Sequence, residues 1–329
     1  MGRNPAPRAL PDRWSKMSAL PIVDAHQHFW DLHRNYYPWL SDAAPANFRY
    51  GDTAPLRRNY LPPDYHADCA AHRVVASVHV EAEWDPRDPV GETRWLAELR
   101  QQSGFPTAAI GQAWFDRDDI AQVLAGHAQF DFLRGVRQKP KTAASPAAVV
   151  AGAPGTMSDP RWRDGYALLE RHGLSYDLQA PWWHMAEAAA LARDFPRTPV
   201  IINHTALPAD RSDEALAGWR SALEMVAAQP NVTLKISGLG IRRERWSAGR
   251  NAAIVRDAIR IFGADRCMFA SNFPVDRLVG SFDTIFTGFK AIVADMAENE
   301  QRMLFHDNAV RVYRLDVACA AHEADVLPR

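Results

Sequence analysis

Short apolar runs rich in β-branched residues recur along the chain, and between them apolar positions return at a spacing near 3.6. The runs are PIVDAHQHFW (21–30), RVVASVHVEAE (73–83), TAAIGQAWF (107–115), FLRGVRQ (132–138), LSYDLQ (174–179), PVIINHTA (199–206), NVTLKISGL (231–239) and RCMFASNFPV (266–275). Their length and composition predict buried strands. The stretches between, such as ETRWLAELRQQ (92–102), ADRSDEALAGWRSALEMVAAQ (209–229) and GRNAAIVRDAIRIFG (249–263), predict helices with one apolar face. Eight strands alternating with helices predict βαβ units and a parallel sheet. The count favours closure into a (β/α)₈ TIM barrel, and no GxGxxG follows the first strand to support an open dinucleotide-binding sheet.

One stretch breaks the rhythm. Residues 31–66 are rich in Pro, Asn, Asp and Tyr and show little periodicity. A connection this long inside a compact domain is usually functional or disordered. Its aromatics, among them Tyr36, Tyr37, Trp39, Phe48 and Tyr50, favour an ordered lid over the active face.

With 329 residues there is room for one such barrel, which needs about 250. The organisation expected is a flexible leader at 1–19, a single barrel domain at 20–316 and a tail at 317–329. A net charge of −1 gives no support to a nucleic-acid or anionic-membrane partner, so a small-molecule substrate is expected, with a homo-oligomer as the other assembly left open. The leader lacks the apolar core of a signal peptide. Cys69, Cys267 and Cys319 are widely spaced, which argues against a disulfide framework and for a cytoplasmic setting.

The candidate chemistry starts with His26 and His28. On a strand, residues i and i+2 point to the same face, so both imidazoles should project together at the end of strand 1. Two adjacent imidazoles can share a metal, or divide base and electrophile roles.

The segments VDAHQHFWD, YYPWL with NYLPPDY, LRGVRQ, YDLQ, IINHTALP, LKISGL and FASNFPVD, in that order, resemble the amidohydrolase-2 branch of the amidohydrolase superfamily. More narrowly they resemble its lactonase-rich group, which contains L-fuconolactonase and 2-pyrone-4,6-dicarboxylate lactonase. The resemblance covers about residues 21–315 and implies a barrel with its active site at the C-terminal ends of the strands. It also implies that His204, after strand 6, faces the substrate carbonyl and helps polarise it.

Strand 8 departs from the family pattern. Where many members carry an aspartate as general base, this chain has Asn272, and an amide cannot accept that proton at useful pH. Either Asp276, four residues on, swings into the mouth to replace it, or a strand-1 histidine is the base and Asn272 only orients substrate or water. Arg134 and Arg137 on strand 4 are candidate anion contacts. Asp177 and Gln179 on strand 5 are candidate substrate contacts, with Tyr50 of the lid and Trp84 after strand 2. No strand-4 lysine matches the carbamylated bridge of two-metal members, so a binuclear site is not expected.

The favoured expectation is catalysis with no cofactor required. The alternative is one Zn²⁺ on His26, His28 and His204. Three functions remain open at this point: hydrolysis of a lactone or similar cyclic ester of a sugar- or aromatic-derived acid, metal-dependent decarboxylation, and ligand binding without catalysis.

Overall fold

The computed structural model describes residues 20–42 and 48–317. The expected leader (1–19), residues 318–329 of the expected tail, and residues 43–47 inside the expected lid lie outside them. All eight predicted strands form: β1 (Ile22–Gln27), β2 (Val74–Val80), β3 (Ala108–Gln112), β4 (Leu133–Gln138), β5 (Ser175–Leu178), β6 (Val200–Ile202), β7 (Val232–Ile236) and β8 (Cys267–Phe269). They pair in sequence order, each parallel to the next. Closure between β8 and β1 is made at the C-terminal end. There His28 N–H donates to Phe273 O at 2.7 Å and Asn272 N–H to His26 O at 2.8 Å. The fold is therefore the expected α/β barrel.

Helices alternate with the strands: α1 (Pro62–Cys69), α2 (Gly91–Ser103), α3 (Ile120–His127), α4 (Pro160–Tyr166), α5 (Met185–Asp194), α6 (Asp213–Ala227), α7 (Ala248–Phe262) and α8 (Phe282–Ile292). Their boundaries follow local chemistry. The Ser212 side chain caps α6 by accepting from Ala215 N–H, and Ser281 caps α8 by accepting from Thr284 N–H. In α7 the buried positions Ile254, Val255, Ala258, Ile259 and Phe262 fall on one stripe. Burying each large side chain there stabilises the fold by about 1.5–3 kcal/mol.

The barrel interior has two characters. Towards β1, β2, β3 and β8 it is filled by small and medium apolar side chains, including Val23, Ala76, Val78, Ile110 and Met268. On the β5–β7 side the interior is ionic, with Lys235 Nζ 2.5 Å from Asp177 Oδ1. A last helix, α9 (Asn308–Tyr313), packs against this interior and adds a Tyr313 hydroxyl bond to Asp177.

All eight strands are shorter than their apolar runs, β6 and β8 most of all. Regular pairing in β6 ends at Ile202, after which His204, Thr205, Ala206 and Leu207 all take positive φ (+53° to +56°). For L-residues this left-handed turn costs about 1–2 kcal/mol per residue, and it re-aims His204 across the barrel mouth. β8 ends at Phe269, and Asn272 also takes a left-handed φ of +55°.

Candidate functional site

The C-terminal ends of the strands bring three imidazoles together. His26 and His28 rings meet edge-on with centroids 5.0 Å apart, and His26 lies 4.6 Å from His204. All three are buried. Gly238 makes the His204 position attainable: at φ +62°, a Cβ there would fall 2.8 Å from His204 Cβ.

Burial holds all three rings neutral by pushing each imidazole pKa well below its ordinary value. For His26 the Lys235 charge adds to this, for His28 the Arg137 charge, and for His204 the Arg49 charge. The hydrogen bonds then fix the protons. His28 Nδ1 lies 2.7 Å from the carbonyl oxygen of Val80, an acceptor only, so Nδ1 carries the ring proton and Nε2 bears a lone pair. That Nε2 faces Asn272 Oδ1 at 3.3 Å, while Asn272 Nδ2 donates to Asp276 Oδ1 at 2.5 Å. Both His26 ring nitrogens are buried and have no hydrogen-bond partner among the described residues. His204 Nδ1 lies 3.0 Å from Ser237 Oγ.

The cluster thus gathers lone pairs at His28 Nε2, at one nitrogen of the neutral His26 ring and at Asn272 Oδ1. Such an arrangement is satisfied by a proton or a cation. Neutral imidazoles anchored through Nδ1 to a carbonyl are also what a metal-binding histidine requires. Among the described residues no three His, Cys, Asp or Glu side chains form a ready metal cage, so Asn272 oxygen would have to complete the set.

Asp276, one of the two bases left open, stands outside the mouth. It lies behind Asn272, 1% exposed, with Arg49 Nη2 3.6 Å away. Burial raises its pKa to about 6, against the Arg49 charge and the Asn272 hydrogen bond.

Above the cluster opens a cavity of about 390 Å³ whose walls include His28, His204, Asn272, Arg137, Gln179 and Arg49. Two of the expected substrate residues, Arg137 and Gln179, stand there. The Arg137 guanidinium is set by Glu81 Oε1 at 2.5 Å and donates to Gln179 Oε1 at 3.1 Å.

The structure places four of the expected contacts away from this cavity. Arg134 lies at the opposite end of the barrel, where Nε donates to Tyr313 O at 2.7 Å and Nη1 to Asp131 O. Arg137 is three positions further on, an odd offset, so the two point to opposite faces of β4. Asp177 is consumed by Lys235 and Tyr313 inside the barrel. Tyr50 is buried beneath the Arg49 guanidinium, 4.5 Å from its ring centroid, and supports that arginine rather than the cavity wall. Trp84, packed edge-on to Tyr37 at 5.3 Å, lines a neighbouring chamber instead.

The sequence reading missed Arg49 and Lys139, both of which line the cavity beside Glu83. Arg49 comes from the aperiodic insertion, beside Phe48, whose ring stacks on Trp39 at 5.9 Å over the site. Its only sequence signal was a cation among aromatics in a loop already suspected to be a lid.

Comparison with known proteins assigns the chain a family. Residues 23–315 match the Amidohydro_2 family, described as Amidohydrolase. An uncharacterised protein, y4mH, of Sinorhizobium fredii is 42% identical over 91% of this chain and 100% of its own length. An L-fucono-1,5-lactonase of Burkholderia multivorans is 30% identical over 91% of this chain and 97% of its own. A crystal structure of an amidohydrolase from Burkholderia multivorans with bound zinc superposes with a TM-score of 0.73 at 28% identity, covering 89% of this chain and 99% of that one. A 2,6-dihydroxybenzoate decarboxylase from Rhizobium, at 16% identity over 89% of this chain and 98% of that one, shares the fold with a TM-score of 0.62. Among the described residues no helix is long and apolar enough to cross a membrane.

Proposed function

The chain belongs to the Amidohydrolase family and is a hydrolase, and from that premise we propose that it opens a lactone of a small hydroxy acid by adding water to the ring carbonyl. The observation that carries this reading is the neutral histidine cluster beneath a cavity large enough for a small ring. The lactonase relatives support it. Decarboxylation has no comparable support, because the decarboxylase likeness concerns the fold alone.

The carbonyl sits against His204. When Ser237 donates its hydroxyl proton to Nδ1, the ring proton of His204 rests on Nε2 and can be donated to the carbonyl oxygen. Arg49 and Arg137 add positive potential where negative charge develops, Arg137 being held in place by Glu81. Water bonds to the carbonyl carbon, the ring C–O bond breaks, and the leaving alkoxide oxygen takes up the proton that water gave up, so that the product is the open hydroxy acid. The proton lost by water has an anionic destination in Asp276, which Asn272 must turn aside to expose. Trp39 and Phe48 cover the ring and limit bulk water.

The expectation of metal-free catalysis gains no support, whereas the lone pairs of His26, His28 and Asn272, with His204 beside them, fit a single Zn²⁺. Bound there, Zn²⁺ would polarise the carbonyl and ease deprotonation of water. The free, buried thiols of Cys69 and Cys267 fit work in a reducing compartment, the cytoplasm.

The test is a panel of sugar and aromatic-acid lactones with and without chelator. Ring opening that disappears in the His26→Ala/His28→Ala double variant supports the assignment. Unchanged turnover in that variant ends it.

A further inference from the structure

The reaction cavity does not end at the histidines. Beside it, across the ends of β2 and β3, lies a second chamber of about 300 Å³. Trp39, Glu83, Arg137 and Lys139 line both spaces and form the boundary between them. Two more indoles, Trp84 and Trp114, and the side chain of Gln112 line the second chamber only.

Its charges are already matched. Arg137 pairs with Glu81 at 2.5 Å, and Lys139 pairs with Glu83. A charged ligand group would meet no unbalanced partner here. What the chamber does leave unmatched is an acceptor: Gln112 is 4% exposed and its Oε1 has no hydrogen-bond partner among the described residues. An orphaned buried acceptor costs free energy until a donor arrives. A carboxylate or phosphate cannot donate, whereas a hydroxyl can. Indole walls complement the flat C–H faces of a hydroxylated ring, with hydroxyl groups reaching the polar rim.

We propose that this chamber is a subsite for a neutral glycosyl ring carried on the lactone, so that the substrate class is a two-ring, glycosylated aldonolactone. The proposal rests on the lactone reading above. It assigns Gln112 as acceptor for a ring hydroxyl and Trp114 as a stacking wall.

The experiment compares glucono-1,5-lactone with cellobiono-, maltobiono- and lactobiono-1,5-lactone, in the wild type and in Trp114→Ala and Gln112→Leu. At least one two-ring lactone is expected to exceed the one-ring lactone in kcat/KM by about tenfold, the factor given by about 1.4 kcal/mol. Each variant should remove most of that advantage, chiefly through KM, while changing the one-ring value less than about twofold. One-ring turnover with no gain from a second ring overturns the subsite and leaves the lactonase reading intact. If no lactone is opened, the lactonase reading fails, and the subsite is then judged by tryptophan fluorescence titration with cellobiose, maltose and lactose. Quenching that weakens in Trp114→Ala supports it, and an unchanged or absent response overturns it.

Discussion

His28 donates its Nδ1 proton to the carbonyl oxygen of Val80 at 2.7 Å, and that bond decides what the other ring nitrogen can do. With Nδ1 protonated and burial opposing a second proton, Nε2 is a bare donor atom at the cavity wall. Replacing His28 by Ala removes it, and replacing His26 removes its orphaned neighbour. Either single variant should lower kcat for lactone opening by about 10²–10⁴-fold, while circular dichroism stays native. Retained turnover in both would show that the cluster is structural.

Asp276 sets a pH dependence. Its pKa rises from the ordinary 3.8 to about 6, so the folded protein keeps a proton that the unfolded chain has lost. This contribution to stability is therefore complete below about pH 4 and is lost as pH rises through about 6. Asp276→Asn removes the effect, so its melting temperature relative to wild type should climb between pH 4 and 7. In activity, the acid limb of kcat/KM should lie near pH 6 in the wild type and vanish in Asp276→Asn. An unaltered limb would exclude Asp276 as proton acceptor.

The two strand-4 arginines should separate cleanly. Arg134→Ala loses bonds to main-chain carbonyls at the barrel base and should cost about 1–3 kcal/mol of stability with kcat/KM nearly unchanged. Arg137→Ala strands Glu81 in a buried place and opens the cavity wall. It should cost about 3–5 kcal/mol and lower kcat/KM as well. Denaturant melts beside steady-state kinetics would decide this.

Gly238→Ala probes the seat of His204. The new Cβ would lie 2.8 Å from His204 Cβ on a backbone at φ +62°. Stability should fall by about 1–2 kcal/mol, and kcat should fall further than KM changes, because the imidazole moves from the carbonyl. A crystal structure with His204 unmoved and normal kcat would contradict this.

Metal content gives a direct reading. Protein purified without chelator should retain about one Zn²⁺ per chain by elemental analysis, and His26→Ala should lose it. Zinc retained in that variant would remove His26 from the donor set.

Local pattern by itself determined the eight strands, their alternation with helices, and the pairing of His26 with His28, because those follow from side-chain period and β-branching over a few residues. It also placed His204, Asn272 and Arg137 at strand ends, where a barrel gathers them. Only the closed structure decided that Arg134 meets Tyr313 at the base, that Asp177 is spent on Lys235, and that Asp276 lies beside Arg49. The arrival of Arg49 from the lid belongs there too. The reason is range: periodicity fixes which way a residue points on its own strand, while ion pairing and loop docking depend on partners tens to hundreds of residues away.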